Sequence, residues 1–406
     1  MSERNLRPLL FGGDINVYSM ARAFYEAYGL RSTVYAKFNS GPCCDSRILE
    51  LRAVGEKNEE PDTFFANVCT FAKEHPDDQI ILIGCGDSYV KLAARFLGQY
   101  PENVVAPYIP LPLMEQLMNK ERFYALCDER DIPHPKTFIY EKEMGADYEL
   151  PFEFPCVAKP SDGVAYWEHP FPGNDKVFHA KDRASLQDFL DKAYAAGYPG
   201  TMVLQEFIPG DDTAMRVLTC YSDRTGRVRL MCLGHVLLEE HSPHGLGNHA
   251  VILNEPVEPA LAEMMGGLLE SLHYTGFSNF DLKYDARDGQ YKVFEINVRQ
   301  GRSNYYVTGA GYNLARFVTE DYIKGQELPL TLADKPFFWH VVPLSVAKEF
   351  IPGEDYQRRM EELRRAGRSV NPMENPADAG FKRKMRLRRL AKLYRQQFPQ
   401  YMPKAR

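Results

Sequence analysis

The sequence predicts a mixed α/β and α+β protein with a helical, basic extension at its C-terminal end. Three observations lead there. Over the first hundred residues short apolar runs alternate with helical patterns, which argues for a parallel sheet with helices on its faces. From Thr213 to Asn297 the pattern is mostly β, and beyond Pro329 the chain turns charged and helical. At roughly 100 to 200 residues per domain, 406 residues suggest two to four units.

The elements follow in order. Strands are expected at Pro8 to Phe11, Ser32 to Ala36 and Ile80 to Ile83, with helices at Val17 to Tyr28, Phe64 to Lys73 and Tyr89 to Leu97. Proline-rich Pro107 to Pro112 reads as a linker, and a new domain begins near residue 115, giving residues 1–114 as the first. The second, 115–204, holds a helix from Asn119 to Arg130, a strand from Pro155 to Lys159, a turn-rich loop from Ser161 to Asp175, a helix from Ala184 to Ala195 and a strand starting at Met202. The third, 205–330, has strands Met215 to Tyr221, Val228 to Val236, Phe277 to Tyr284 and Tyr291 to Ile296, with a helix near Pro259 to Leu272 and another from Asn313 to Ile323. Asp288-Gly289 suits a tight hairpin turn. Residues 331–406 are read as a helical extension with a helix from Glu354 to Ala366, a Pro/Asn-rich break from Asn371 to Asp378 and a basic tail.

With 44% hydrophobic and 26% charged residues the composition is that of a globular protein. The net charge of −6 gives no general attraction to nucleic acid, so none is expected as a partner. The distribution is uneven: Phe381 to Arg406 carries ten basic residues and no acid, so the rest of the chain holds −16. Eight scattered cysteines show no framework spacing and are read as reduced core thiols. No stretch approaches the roughly 18 apolar residues of a spanning helix, and Met1 to Leu10 lacks a leader's apolar core, so the expected location is the cytoplasm.

Two loops at strand ends precede helices whose N–H groups favour an anion: Gly12-Gly13-Asp14, running on to Asn16, and Gly84-Cys85-Gly86-Asp87. Gly13, Asp14, Asn16, Gly86 and Asp87 are candidate substrate contacts. The most informative segment is Phe294 to Ser303. On a strand Glu295 and Asn297 share a face, and Asp281 on the preceding strand can sit opposite them; three oxygen donors suit Mg²⁺ and leave positions for phosphate and water. Arg299 and Arg302 flank Gly301, offering two guanidinium forks to a carboxylate or phosphate where the backbone can approach closely. Lys120 and Lys159 supply ammonium groups for a polyphosphate. Gln205 to Asp212 could present backbone and Gln205 to an adenine edge and Asp212 to a ribose.

Together, Lys159 in P-x-x-A-K-P, Gln205 through Asp212, Asp281 and F-E-I-N-x-R-Q-G-R-S resemble the ATP-grasp fold preceded by its usual Rossmann-like domain. Gly13 to Tyr18, Phe207 to Asp212, Cys232 to His235, Phe294 to Ser303 and Asn313 to Asp321 are similar to the bacterial D-aspartate ligases of peptidoglycan cross-bridge synthesis. The resemblance implies an ADP-forming ligase that makes an amide through an acyl phosphate, with ATP and two Mg²⁺ as cofactors. It implies that Lys120, Lys159 and Ser161 meet ATP phosphates, and that Gln205, Glu206, Phe207, Ile208 and Asp212 meet the nucleoside. Asp281, Glu295 and Asn297 would hold the metal, Arg299 and Arg302 would be catalytic, and Arg216, His235 and Ser303 would touch substrate. The substrates implied are the side-chain carboxylate of D-aspartate and a lysine amine on a peptidoglycan precursor, with a UDP-linked muramyl peptide as one candidate acceptor. The same parts fit another amino acid or amine, and a non-catalytic ATP-binding sensor or scaffold is the alternative from another class. One departure stands out: the lid loop Ser161 to Trp167 has a single glycine.

Cys232, His235, His241, His244 and His249 invite a zinc reading, but their spacing fits no common zinc pattern; a solvated hairpin loop or an acceptor-binding loop fits better. In the tail, Leu387, Leu390, Ala391 and Tyr394 fall at helical spacing among arginines and lysines. Such a helix would either dock on the body or touch an anionic membrane surface or precursor.

Overall fold

The computed structural model describes residues 5–175, 177–243 and 245–402; His244 of the zinc reading and Lys404 and Arg406 of the tail lie outside the described residues. The chain divides into two compact units. The first comprises Met1–Met114, Asp212–Asp281 and Asn297–Arg406, and the second Glu115–Asp211 and Leu282–Ile296.

The first unit begins with five parallel strands, β1 (Asn5–Phe11), β2 (Ser32–Ala36), β3 (Leu49–Ala53), β4 (Asp78–Gly84) and β5 (Val104–Val105), in the order β3-β2-β1-β4-β5. This is the expected parallel sheet. Leu9, Leu10 and Phe11 of the central strand are wholly buried, each worth about 1.5–3 kcal/mol on transfer from water. Asp14 caps the helix Ile15–Tyr28, its carboxylate accepting from the N–H groups of Asn16 at 3.1 Å and Val17 at 3.4 Å. Helices Pro61–Glu74 and Asp87–Arg95 complete the alternation.

The second unit has four strands, β6 (Thr137–Tyr140), β7 (Cys156–Pro160), β8 (Phe178–Ala180) and β9 (Met202–Glu206), ordered β6-β9-β7-β8 and antiparallel throughout. The helix Arg183–Ala195 packs Leu186, Phe189 and Leu190 into their shared core. A third sheet carries β10 (Met215–Ser222), β11 (Val228–Glu240), β12 (Asn248–Glu255), β13 (Gly276–Asp285), β14 (Gln290–Asn297), β15 (Thr331–Leu332), β16 (Phe338–His340) and β17 (Ser369–Val370). Its order is β14-β13-β10-β11-β12-β16-β17, with β15 beside β11. The unit boundaries fall inside β13, after Asp281, and inside β14, after Ile296.

Several expectations need correction. The proline-rich linker ends early, because Leu111 and Pro112 already belong to the helix Leu111–Met118; proline is tolerated in a first turn, where its missing N–H is no loss. The turn-rich loop after β7 contains a short helix, Gly163–Trp167. The histidine-rich segment is only in part a hairpin loop: His235 lies on β11, which runs on to Glu240, His249 lies on β12, which pairs with it and buries Ala250 to Leu253, and the described residues between the two strands form the loop. The tail forms the helix Phe381–Tyr401, docked rather than projecting. Its Tyr394 and Phe398 are buried in the first unit's core, and Leu387 and Leu390 pack against that core, so the apolar stripe is already covered. Among the described residues no helix is long and apolar enough to cross a membrane. All eight cysteines are unbridged thiols, seven of them buried.

Candidate active site

In the first unit the candidates converge from three stretches of sequence. Arg299, two residues past the end of β14, donates from Nε to Oδ1 of Asp87 at 2.7 Å and from Nη2 to Oδ1 of Asn297 at 3.2 Å. Burial works against the Arg299 charge, but the Asp87 carboxylate outweighs it and holds the guanidinium firmly protonated. Asp87 opens its helix, where an acid is favoured by the helix dipole, and Gly86 is the cap. Asn297 in turn donates from Nδ2 to Oδ2 of Asp281 at 3.2 Å.

Gly301 is needed for close approach: a Cβ there would lie 2.8 Å from the Asn279 side chain. Beside it, Gln300 and Asn16 exchange bonds, Asn16 Nδ2 to the Gln300 carbonyl at 3.1 Å and Gln300 Nε2 to Asn16 Oδ1 at 3.1 Å. Asn304 adds a bond to Asn16 Oδ1 at 2.9 Å. Asn16 is thus a buried clamp on the segment that carries Arg299 and Arg302. Gly13 belongs to the same turn, next to the Asp14 cap.

Arg302 donates from Nη2 to Oε1 of Glu240 at 3.0 Å and from Nη1 to the His249 carbonyl at 3.3 Å. Burial pushes the Glu240 carboxyl up, opposed by the Arg302 charge. The His249 ring faces Ser303 Oγ at 3.5 Å, Glu239 at 3.8 Å and Asp281 at 3.9 Å. Asp212 accepts from His241 Nε2 at 2.9 Å and from the Glu239 N–H at 2.8 Å. That hydrogen bond raises the His241 pKa above its ordinary value despite partial burial. Both His235 nitrogens are engaged inside the sheet, Nδ1 by Glu255 at 3.0 Å and Nε2 by the Thr213 carbonyl at 2.7 Å. Arg216 donates to that same carbonyl at 2.8 Å.

The second unit gathers the remaining candidates. Asn119 caps the helix Lys120–Glu129, accepting from the Arg122 N–H at 3.0 Å, so Lys120 stands at its first position. A cation there opposes the helix dipole, and its Nζ lies 3.7 Å from the Glu295 carboxylate. Lys159 on β7 lies over the Phe294 ring at 5.3 Å. Gln205, wholly buried, donates to Thr137 Oγ1 at 2.8 Å and receives the Tyr124 hydroxyl at 3.5 Å. Glu206 accepts from the Lys136 N–H and from Arg287, each at 2.9 Å. Phe207 sits between Lys283 and His179, Ile208 is buried, and Ser161 Oγ lies 3.4 Å from the Tyr198 hydroxyl.

Within the first unit, Asp281 and Asn297 present a carboxylate and an amide oxygen, donors of the hardness Mg²⁺ prefers. Among the described residues no three or more His, Cys, Asp and Glu side chains form a metal cage. Of the zinc reading's described members, Cys232 instead receives a bond from Asn254, and the histidines have the partners given above. Two cavities of about 550 Å³ each lie elsewhere, one lined by Leu344, Arg364, Leu390 and Arg395 and one by His134, Lys136 and Lys292. The sequence reading missed Glu240 and Asn304, and it gave Gln300 no role of its own. The Gln300-Gly301-Arg302-Ser303-Asn304 run of polar residues around a glycine was the available signal for Asn304.

No family model matches the chain. The N5-carboxyaminoimidazole ribonucleotide synthetase of Thermus thermophilus superposes with a TM-score of 0.60 at 17% identity, over 91% of this chain and 99% of that one. The L-amino acid ligase of Bacillus licheniformis superposes with a TM-score of 0.54 at 19% identity, over 80% and 75%. These two likenesses concern the fold, and it is the ATP-grasp fold. In sequence, the D-aspartate ligase of Enterococcus faecium is 39% identical over 97% of this chain and 96% of the relative. With that identity along nearly the whole of both chains, this chain belongs to the D-aspartate ligase family and is an ADP-forming ATP-grasp carboxylate-amine ligase that works with ATP and Mg²⁺.

Proposed function

We propose that the protein activates the side-chain carboxylate of D-aspartate as an acyl phosphate and joins it to the lysine amine of a peptidoglycan precursor. The observation that carries this reading is the near full-length likeness to a D-aspartate ligase, and the bonds of Asn297 to Asp281, of Arg299 to Asn297 and of Arg302 to Glu240 support it.

The chemistry explains the residue types. A carboxylate resists an amine because it is anionic and its oxygen is a poor leaving group. Transfer of the γ-phosphoryl group from ATP to a carboxylate oxygen releases ADP and gives an acyl phosphate; attack by the amine forms the amide and expels phosphate. In this reading Lys120 and Lys159 hold the ATP phosphates, with Ser161 at the start of the lid, and Gln205 to Ile208 and Asp212 hold the nucleoside. Asp281, Glu295 and Asn297 would hold Mg²⁺, two ions in this proposal, which when bound neutralises phosphate charge. Arg299, oriented by Asp87 and Asn297, steadies the charge on the transferring phosphoryl group. Arg302 and Ser303 face the amino acid's carboxylate, and Gly13, Asp14, Gly86 and Asp87 border the same guest, with Asn16 fixing their scaffold. Arg216 and His235 act through the Thr213 carbonyl, next to Asp212.

The test is product analysis with radiolabelled D-aspartate, ATP and a muramyl pentapeptide carrying lysine. The reading expects one ADP per D-aspartyl-lysine amide formed. Amide formation with a different amino acid, and none with D-aspartate, removes the substrate assignment and leaves the reaction class standing.

A further inference from the structure

We propose that Glu240 and Tyr394 are positioning residues for the amino-acid carboxylate: Glu240 fixes the Arg302 guanidinium, and Tyr394, on the C-terminal helix, fixes Glu240. The inference rests on the reading above, in which Arg302 meets that carboxylate.

The geometry is specific. Glu240 is the last residue of β11, and its side chain is 12% exposed against 28% for Arg302. A carboxylate that far out of water is costly unless paired, and its Oε1 has Arg302 at 3.0 Å and the Tyr394 hydroxyl at 3.5 Å. The loop after β11 closes tightly over the pair: a Cβ on Gly245 would stand 2.5 Å from Glu240 Oε2. On its other side Arg302 is tied to the His249 carbonyl at 3.3 Å, one residue from the start of β12. An arginine held at two corners has lost its rotamer freedom on folding rather than on binding, and its planar fork meets a carboxylate in one orientation. The tail helix therefore has a part in the site. Its Tyr394 ring packs beside Phe398 in the core, which leaves the hydroxyl as the only polar function the residue contributes.

The experiment measures ATP-dependent hydroxamate formation with hydroxylamine, varying D-aspartate and ATP separately, in the full chain and in Glu240→Gln, Tyr394→Phe, Arg302→Lys and the Glu240→Gln/Arg302→Lys double variant. Glu240→Gln should raise KM for D-aspartate about tenfold, the effect of one charge-assisted hydrogen bond, and Tyr394→Phe about threefold. KM for ATP should stay within about twofold, which separates a positioning role from a general loss of structure. Once Arg302 is lysine, Glu240→Gln should add little, since the two act as one unit. If Glu240→Gln does not fold, Tyr394→Phe, which removes one oxygen and keeps the ring, decides alone. Unchanged KM for D-aspartate in a folded variant, equal rises for both substrates, or additive effects with Arg302→Lys overturn this inference while the functional reading stands. No hydroxamate from the unaltered protein with any amino acid overturns the functional reading and this inference with it.

Discussion

Asp87 and Arg299 lie 212 positions apart in the chain and meet through a 2.7 Å charge-assisted hydrogen bond. Asp87 is 53% exposed, and an ion pair that open to water adds at most about 1 kcal/mol to stability. Its value is orientation. Asp87→Asn should leave the melting temperature within about 2 °C, while kcat falls roughly tenfold because Arg299 is no longer aimed. Thermal melts and initial rates on the same preparation check this; unchanged kcat would remove the orienting role.

Glu295 stands 3.7 Å from Lys120 and is proposed as a metal ligand. Glu295→Gln keeps the shape and removes the charge, so turnover should drop by at least about 100-fold while ATP still binds through its other contacts. Calorimetric titration with ATP alongside the rate assay separates the two, and retained turnover contradicts the assignment.

Gly301→Ala would place a methyl group 2.8 Å from the buried Asn279 side chain, which is itself bonded to Thr219 at 3.0 Å. Overpacking of this kind costs about 1–3 kcal/mol. Denaturant unfolding should show that loss.

Burial alone would push the Glu255 carboxyl up, but His235, Arg216 and Arg359 hold it down at about 2, against an ordinary 4.5. A folded-state pKa below the unfolded one gives stability that is complete above about pH 4.5 and is lost as pH falls toward 2. The linkage amounts to on the order of 3 kcal/mol. The stability gap between the native protein and Glu255→Gln should therefore be widest near neutrality and narrow on acidification, measured by urea unfolding across that range. A gap independent of pH contradicts it.

The Arg383–Asp378 pair anchors the tail. Arg383 is 1% exposed, with Nε 3.3 Å from Asp378 Oδ2 and its guanidinium 4.1 Å above the Tyr18 ring. Arg383→Met leaves a buried carboxylate without its cation and should cost about 3–5 kcal/mol. Lys384→Ala, one residue on and exposed, should change stability by less than about 0.5 kcal/mol. Urea unfolding of both variants checks the contrast.

The parallel sheet was readable because its strands are short apolar runs separated by helical periods, and Glu295 and Asn297 stood out because a charged and an amide residue alternate at the end of one strand, Gln290–Asn297. The second half of the candidate site was hidden for a physical reason. Glu240 and His249 gain their meaning from strand pairing between β11 and β12, where Glu239 pairs with His249, and local periodicity in a histidine-rich stretch cannot reveal that. Nor could composition show that Arg383 is a core residue while Lys384 is not, since both sit in the same basic run and only the helix's docked face separates them.

The most direct test of the central claim is trapping of the activated carboxylate by hydroxylamine, with ATP, Mg²⁺ and a panel of D- and L-amino acids, because it needs no acceptor. The account expects hydroxamate and ADP in equal amounts with D-aspartate and little with L-aspartate. ADP release without hydroxamate from any amino acid, or hydroxamate from L-aspartate alone, would contradict it.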